Sequence, residues 1–393
     1  MNRAVSERVV GVVGASARAA VHSLARAGYS AWAVDLFADR DLSRVAPCAV
    51  CPMQKYPAAL PRLAATFLAG PVLYTGGLEN HPEVVAELAG ARELWGNTPD
   101  VLKRVRDPYR LFPNSVSPTV LPADRPADLH TDLHTDRPVV LPVVVPRGRA
   151  CPGAGRWLRK PLRSAAGHGI RPARPGEPPH RNFYFQQFVT GQPMSAVFRE
   201  GEFVAATVQL VGTSWLHARR FGYCGNVGPL TLPVAAERRL RSFARRLSDD
   251  YGLRGVWGID FLFDGDTPRI VEVNPRYTAS VEVIEYATGC SLLDRGVTNP
   301  PRGGASRYVG KGVYFAPRTL TFPAGGPWDD DLDRDFDPWR LPGFADIPRP
   351  GAVFNAGQPV MTCFTTGSSL AECQERLQSR AAELDQLLGG QRS

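Results

Sequence analysis

At 393 residues the chain is long for one domain, so two or three packed units are expected, and an apolar content of 44% marks them as globular. The net charge of +8 suits anionic ligands, but the excess is spread along the chain. No window interleaves basic and aromatic residues, which argues against nucleic-acid binding, and no run of about 18 uncharged apolar residues is present to cross a membrane.

The opening "MNRAVSERVVGVVGAS" puts Glu7 and an early glycine where a signal peptide needs an unbroken apolar core, so a cytoplasmic location is expected. "RVVGVVGASARAAVHSLARAGYSAWAVDL" then reads as strand, glycine turn, helix and strand. Residues 8–13 are a buried-type apolar run, Ala19 to Ala27 keeps helical spacing, Gly28 caps the helix, and the second strand ends at Asp35. "GVVGASARA" lacks a full GxGxxG, so Gly14 and Ser16 are candidates for a phosphate or substrate contact, against a plain tight turn. Asp35 is likewise open between a ribose or substrate contact and a structural role. A weaker copy follows, with "PVLYTGG" as strand and "HPEVVAELAGA" as helix, so residues 1–96 form a parallel α/β domain. The seven scattered cysteines fit reduced thiols, and Cys48 and Cys51 make a lone CxxC without a second pair at zinc-site spacing.

Around 118–156 the texture turns rich in Pro and Asp, with a tandem "LHTD" at 129–136. His130 and His134 stand four apart, as a helical metal site would need, but a duplicated polar tetrapeptide among prolines reads as an exposed loop insertion. From 156 the chain is β-rich, with helices expected at about 233–251, 278–289 and 369–388, a possible strand in "PVMTCFTT", and the acidic "DDDLDRDFDP" as a solvated loop. "GTSWLHARRFGYCGNVGP" (212–229) reads as a mobile loop near a substrate, with Arg219 and Arg220 on an acidic group or simply as surface charge. Only four of the 46 basic residues are lysines (Lys55, Lys103, Lys160 and Lys311), and a lysine kept in so arginine-rich a chain invites a functional reason.

"GIDFLF" and "RIVEVN", joined by the turn "DGDTP", read as a hairpin. With Phe263 facing Arg269, Asp260 lies opposite Glu272, and Ile270, Glu272 and Asn274 share its face. Two facing carboxylates would stand about 4.5–5.5 Å apart and repel, and a cation between them removes the conflict. Two carboxylates with the amide of Asn274 suit Mg²⁺, and Arg276, just past Pro275, can reach a phosphoryl oxygen. In "WLRKPLRSAAGHGI" a strand delivers Lys160, and the small-residue loop from Ser164 through Gly167 to Gly169 can cradle phosphates, although no P-loop pattern is present.

In this order these pieces resemble the ATP-grasp superfamily, among its members those related to biotin carboxylase and the predicted carboligases. The resemblance rests on the N-terminal α/β domain, "GNTPDVLKRVRDPYRL", "KPLRSAAGHGI", "YFQQFVTGQPMS", "GIDFLFDGDTPRIVEVNPR" and the tail "ADIPRPGAVFNAGQPVMTCFTTGSSLAEC". It implies mixed α/β and α+β folding: a domain at 1–96, then an ATP-grasp fold of two α+β subdomains at 97–190 and 191–300, and a C-terminal extension at 301–393. It further implies that ATP is held by Lys160, Ser164, Gly167 and Gly169, and at the adenine edge by Gln187, Phe188 and Val189. Asp260, Glu272 and Asn274 would hold Mg²⁺, or Mn²⁺, and Arg276 and Lys160 would act on the phosphoryl group. The family reaction turns a carboxylate into an acyl phosphate for attack by an amine, here a small-molecule ligase, with a pterin- or furan-type one-carbon cofactor suggested as the pathway. Carboxylation through carboxyphosphate and nucleotide binding without catalysis are the alternatives, and a homodimer is an open option. Two departures stand out. The hinge offers Gln186 and Gln187 where many members have a glutamate. "DPY" lacks the usual basic residue, for which Arg106 or Arg110 would have to substitute.

Overall fold

The computed structural model describes residues 9–112, 139–296 and 307–389. His130, His134 and the tandem repeat lie outside the described residues.

β1 (Val9–Val13), β2 (Ser30–Asp35), β3 (Cys48–Val50) and β4 (Val72–Tyr74) form a parallel sheet in the order β3-β2-β1-β4. β1 is an unbroken apolar run because helices cover both faces of such a sheet. α1 (Arg18–Arg26) and α2 (Arg40–Val45) pack on one side, and α3 (Leu60–Ala64) and α4 (Pro82–Ala91) on the other. Gly28, at φ +77°, lets the chain leave α1 in the left-handed region.

α5 (Pro99–Val105) and α6 (Pro108–Leu111) follow, and their apolar faces join the core of the large sheet described below. A small antiparallel sheet comes next: β5 (Trp157–Pro161), β6 (Arg171–Pro172) and β7 (Phe183–Gln187), in the order β6-β5-β7. The stretch before it, expected as part of a loop insertion, is extended from Val139 onward and ties the two sheets together. Val140 exchanges backbone hydrogen bonds with the Pro268–Ile270 strand, and Val143 and Val145 bond to Gln187 and Phe185.

The largest sheet is antiparallel and eight-stranded. Its members are β8 (Gln192–Arg199), β9 (Glu202–Val211), β10 (Tyr223–Leu230), β11 (Val256–Phe263), β12 (Pro268–Asn274) and β13 (Tyr308–Phe315), joined by β15 (Phe344–Ala345) and β17 (Pro359–Gly367). A separate ribbon pairs β14 (Leu320–Thr321) with β16 (Val353–Phe354). The order is β12-β11-β8-β9-β10-β13-β17-β15, so β13, β15 and β17, from 301–393, continue the sheet of 191–300, and the β14–β16 ribbon stands apart. α7 (Val234–Tyr251) packs beneath β8, β9, β11 and β12, around Trp257, Phe198 and Ile259. α8 (Ser280–Thr288) wedges against α1 and β10. α9 (Asp329–Asp333) precedes α10 (Leu370–Gly389), which covers β13 and β17.

Two expectations need correction here. The acidic run is not merely solvated: it opens α9, and Asp331 accepts the backbone N–H groups of Gly343 and Phe344. Residues 212–229 are not one loop either, because Tyr223–Leu230 is a central strand, leaving a loop at 212–222.

Candidate active site

The β11–β12 hairpin sets Asp260 opposite Glu272, as the sequence suggests, but its register slips just beyond them. Phe261 faces Ile270 and Phe263 faces Pro268, not Arg269. Val271 is the extra residue, a β-bulge, and the slip turns Ile270 into the α7 core instead of onto the face of Asp260. Val271 and Glu272 then both line a cleft of about 820 Å³ between the small sheet and the large one.

The floor of this cleft is a row of polar side chains in register across the large sheet. Glu272 faces Asp260, Asp260 faces Ser195, and Ser195 faces Thr207; two residues along, Gln209 faces Asn226, which faces Lys311. The row is bonded within itself. Gln209 donates to Asp260 Oδ1 (2.8 Å), Asn274 Nδ2 to Asp260 Oδ2 (2.9 Å), and Asn226 Nδ2 to Thr207 Oγ1 (2.8 Å). Burial, then the charge of Glu272, pushes the Asp260 carboxyl up to about 6. Burial also disfavours the charge on Glu272, but Arg106 and then Lys160 outweigh it and hold that carboxyl below its usual range.

Three cations converge on the pair. Lys160 is 8% exposed, and its Nζ donates to Gln186 Oε1 (3.0 Å) and the Val271 carbonyl (3.2 Å). An ammonium has three donors, so one remains for a ligand. Arg106 donates to Glu272 Oε1 and to the Ser164 carbonyl (3.2 Å), so of the two arginines weighed from the sequence it is the one in the site. Arg110 is largely exposed and pairs with Asp107. Arg276 lines the cleft, with Nη2 2.9 Å from Glu79 and 3.3 Å from Asn274 Oδ1.

The glycine loop closes over this floor. Gly167 has φ +74°, and a Cβ there would stand 1.8 Å from the Phe221 carbonyl, so only glycine lets the loop dock on residues 219–223. Tyr223 N–H bonds the Ala166 carbonyl, and the Ser164 hydroxyl closes the loop on the His168 carbonyl (2.6 Å). Gly169, at φ +76°, packs on Pro161. At the other edge of the cleft the N–H groups of Gln187 and Phe188 already bond the carbonyls of Val143 and Arg156, which leaves the Val189 N–H of the three for a ligand.

Other candidates fall outside this group. Asp35 is fully buried and accepts from Ala17, Phe37 and Ala38 N–H, so its role is structural. Gly14 is a close approach, where a Cβ would meet Thr75 Oγ1 at 1.9 Å, whereas Ser16 lines the cleft. Arg219 and Arg220 are exposed and do not line it. Cys48 bonds Asp35, and burial pushes its thiol up to about 12. Gln209, Asn226, Lys311 and Glu79 are the site residues that sequence reasoning missed. Lys311 was visible as one of four lysines, and Gln209 as a polar interruption of an apolar strand.

Among the described residues no group of three or more His, Cys, Asp and Glu gathers to enclose a metal. The facing carboxylates fit a cation that takes its remaining oxygens from water or phosphate, which is the habit of Mg²⁺. Gln186 and Arg276 both line the cleft, and their buried Nε2 and Nε groups, without a partner among the described residues, fit an anionic, oxygen-rich ligand.

Residues 136–280 match the ATP-grasp domain model. An uncharacterized protein of Methanocaldococcus jannaschii is 26% identical over 178 residues, a match spanning 45% of this chain and 40% of that protein's length. The fold is shared with the L-amino acid ligase of Bacillus licheniformis: TM-score 0.61, 14% identity, covering 96% of this chain and 97% of that one. It is also shared with the biotin carboxylase domain of Hydrogenobacter thermophilus 2-oxoglutarate carboxylase, a structure holding MgADP and bicarbonate: TM-score 0.63, 14% identity, covering 94% and 88%. The chain carries an ATP-grasp domain at residues 136–280.

Proposed function

We propose that this chain is an ATP- and magnesium-dependent ligase that activates a small-molecule carboxylate as an acyl phosphate and transfers the acyl group to an amine. The observation that carries this reading is the Asp260–Glu272 pair on the floor of a cleft where Lys160, Arg106 and Arg276 converge. Magnesium would be held by Asp260, Glu272 and Asn274, with Mn²⁺ a workable substitute, and when bound it neutralises phosphate charge. The chain's own groups do the positioning. Lys160 and the N–H groups of the Ser164–Gly169 loop hold phosphate oxygens, Gln187 to Val189 present the adenine edge, and Arg276 meets the transferring phosphoryl group. A substrate carboxylate oxygen then bonds the γ-phosphorus as ADP leaves. The amine nitrogen next bonds the acyl carbon as phosphate leaves.

This assignment needs no protein nucleophile, and Cys48 and Cys51 play no part in it. A second reading, with bicarbonate as the activated acid, is favoured by the bicarbonate held in the Hydrogenobacter carboxylase domain of the same fold. The test is ADP release from ATP and Mg²⁺ across a panel of amino acids, carboxylic acids, bicarbonate, and pterin- and furan-type acceptors, with Glu272→Ala as control. Acid- and amine-dependent release with a ligated product, lost in Glu272→Ala, is expected. Release driven by bicarbonate alone selects the second reading, and release equal in the two proteins refutes both.

A further inference from the structure

Glu79 lies in the short turn Leu78–Asn80 after β4, distant in sequence from Arg276, which it contacts just past the hairpin. It is 2% exposed, and apart from the ion pair with Arg276 (2.9 Å) neither of its oxygens accepts a hydrogen bond from the described residues. A carboxylate taken out of water with a single partner is stable only because that partner is a cation. The neighbouring Asn80 accepts from Arg106 Nη2 (3.1 Å) and donates to the Ser164 carbonyl (3.0 Å). Two consecutive side chains of the parallel α/β unit therefore grip both arginines of the site and the glycine loop. Glycine is required in the turn itself: Gly77 has φ +98°, and a Cβ there would stand 2.6 Å from the Tyr56 hydroxyl.

We propose that Glu79 is a positioning residue, whose buried carboxylate aims the Arg276 guanidinium at the terminal phosphate. The proposal rests on the reading of Arg276 given above. Without Glu79, Arg276 keeps the Tyr277 carbonyl (3.0 Å) and Asn274 Oδ1 (3.3 Å). Among the described residues Asn274 is then its one side-chain partner, so loss of Glu79 loosens the arginine and draws an expected metal ligand toward it.

The experiment is calorimetric titration of the full chain with magnesium complexes of ADP and of the non-hydrolysable β,γ-imido analogue of ATP. It compares the wild type, Glu79→Gln, Arg276→Ala and the double variant, with a thermal melt of each. Glu79→Gln is expected to weaken the imido analogue about tenfold and ADP by less than about twofold, as for one charge-assisted contact to the terminal phosphate. The double variant should bind no more weakly than Arg276→Ala alone. Parallel weakening of both nucleotides with a lowered melt would make Glu79 merely structural and overturn the proposal. Additive losses in the double variant, or tighter binding of the imido analogue by Glu79→Gln, would overturn it as well. A wild type that binds neither nucleotide refutes the ligase reading itself and this proposal with it.

Discussion

Val271 has no partner across the β11–β12 hairpin, and this unpaired residue puts two successive side chains, its own and that of Glu272, on the cleft. The bulge also leaves the Val271 carbonyl free to accept from Lys160, so one irregularity joins the hairpin to the glycine-loop sheet. Regular alternation predicts the Asp260–Glu272 pairing and misplaces Ile270, because nothing in "RIVEVN" marks where the extra residue falls. Gly167 is the other residue on which the site depends. Gly167→Ala is expected to undock the glycine loop, at a cost of about 1–3 kcal/mol from backbone strain and the clash with Phe221. Hydrogen exchange across 163–170 and 219–223 should quicken, with nucleotide affinity reduced. Gly148→Ala, at φ +80° with open space around it, should pay only the strain of that conformation and leave both segments unchanged.

Among the elements, α1 and α8 depart furthest from their sequence patterns. Each is legible by itself as a helix, yet the two turn charged groups toward each other. Arg18 is bonded by Glu282 and Asp346, Arg26 meets Glu285 at 2.6 Å, and Lys311 completes the cluster on Glu282 at 2.8 Å. Pairing between helices more than 250 residues apart cannot be seen in either helix alone. His22 lies within this cluster, edge-on to Phe336, and burial, followed by the Arg18 charge, holds its imidazole down to about 3. The folded state then binds fewer protons than the unfolded state between about pH 3 and 6.5, so this contribution is complete above pH 6.5 and is lost as pH falls. Asp41, pushed up to about 6 by burial, acts in the opposite direction, so the comparison is made against His22→Phe. Denaturant unfolding at pH 7.5 and pH 5 should show the wild type losing about 2 kcal/mol more than the variant, and equal losses would place a charged imidazole in the fold.

At the scale of the molecule, the polar floor of the cleft was present in the sequence one strand at a time. Ser195, Thr207, Gln209, Asn226, Asp260 and Lys311 each interrupt an apolar strand. They become a row only in the order β12-β11-β8-β9-β10-β13, which does not follow the chain, so the hairpin was legible and the row was not. The roof was legible as a glycine loop, but its docking on residues 219–223 is a contact between distant segments. The parallel sheet was expected from its apolar strands. That its Glu79–Asn80 turn reaches Arg276 and Arg106 emerges only from the packed chain.

We propose that this cleft binds ATP through a cation held by Asp260 and Glu272. Calorimetric titration of ATP into the wild type and Glu272→Ala, each with Mg²⁺ and with the metal chelated, tests it most directly. The wild type is expected to bind ATP with Mg²⁺ and much more weakly without it, and Glu272→Ala to lose this dependence. Binding absent from the wild type, or magnesium dependence unchanged in Glu272→Ala, would contradict it.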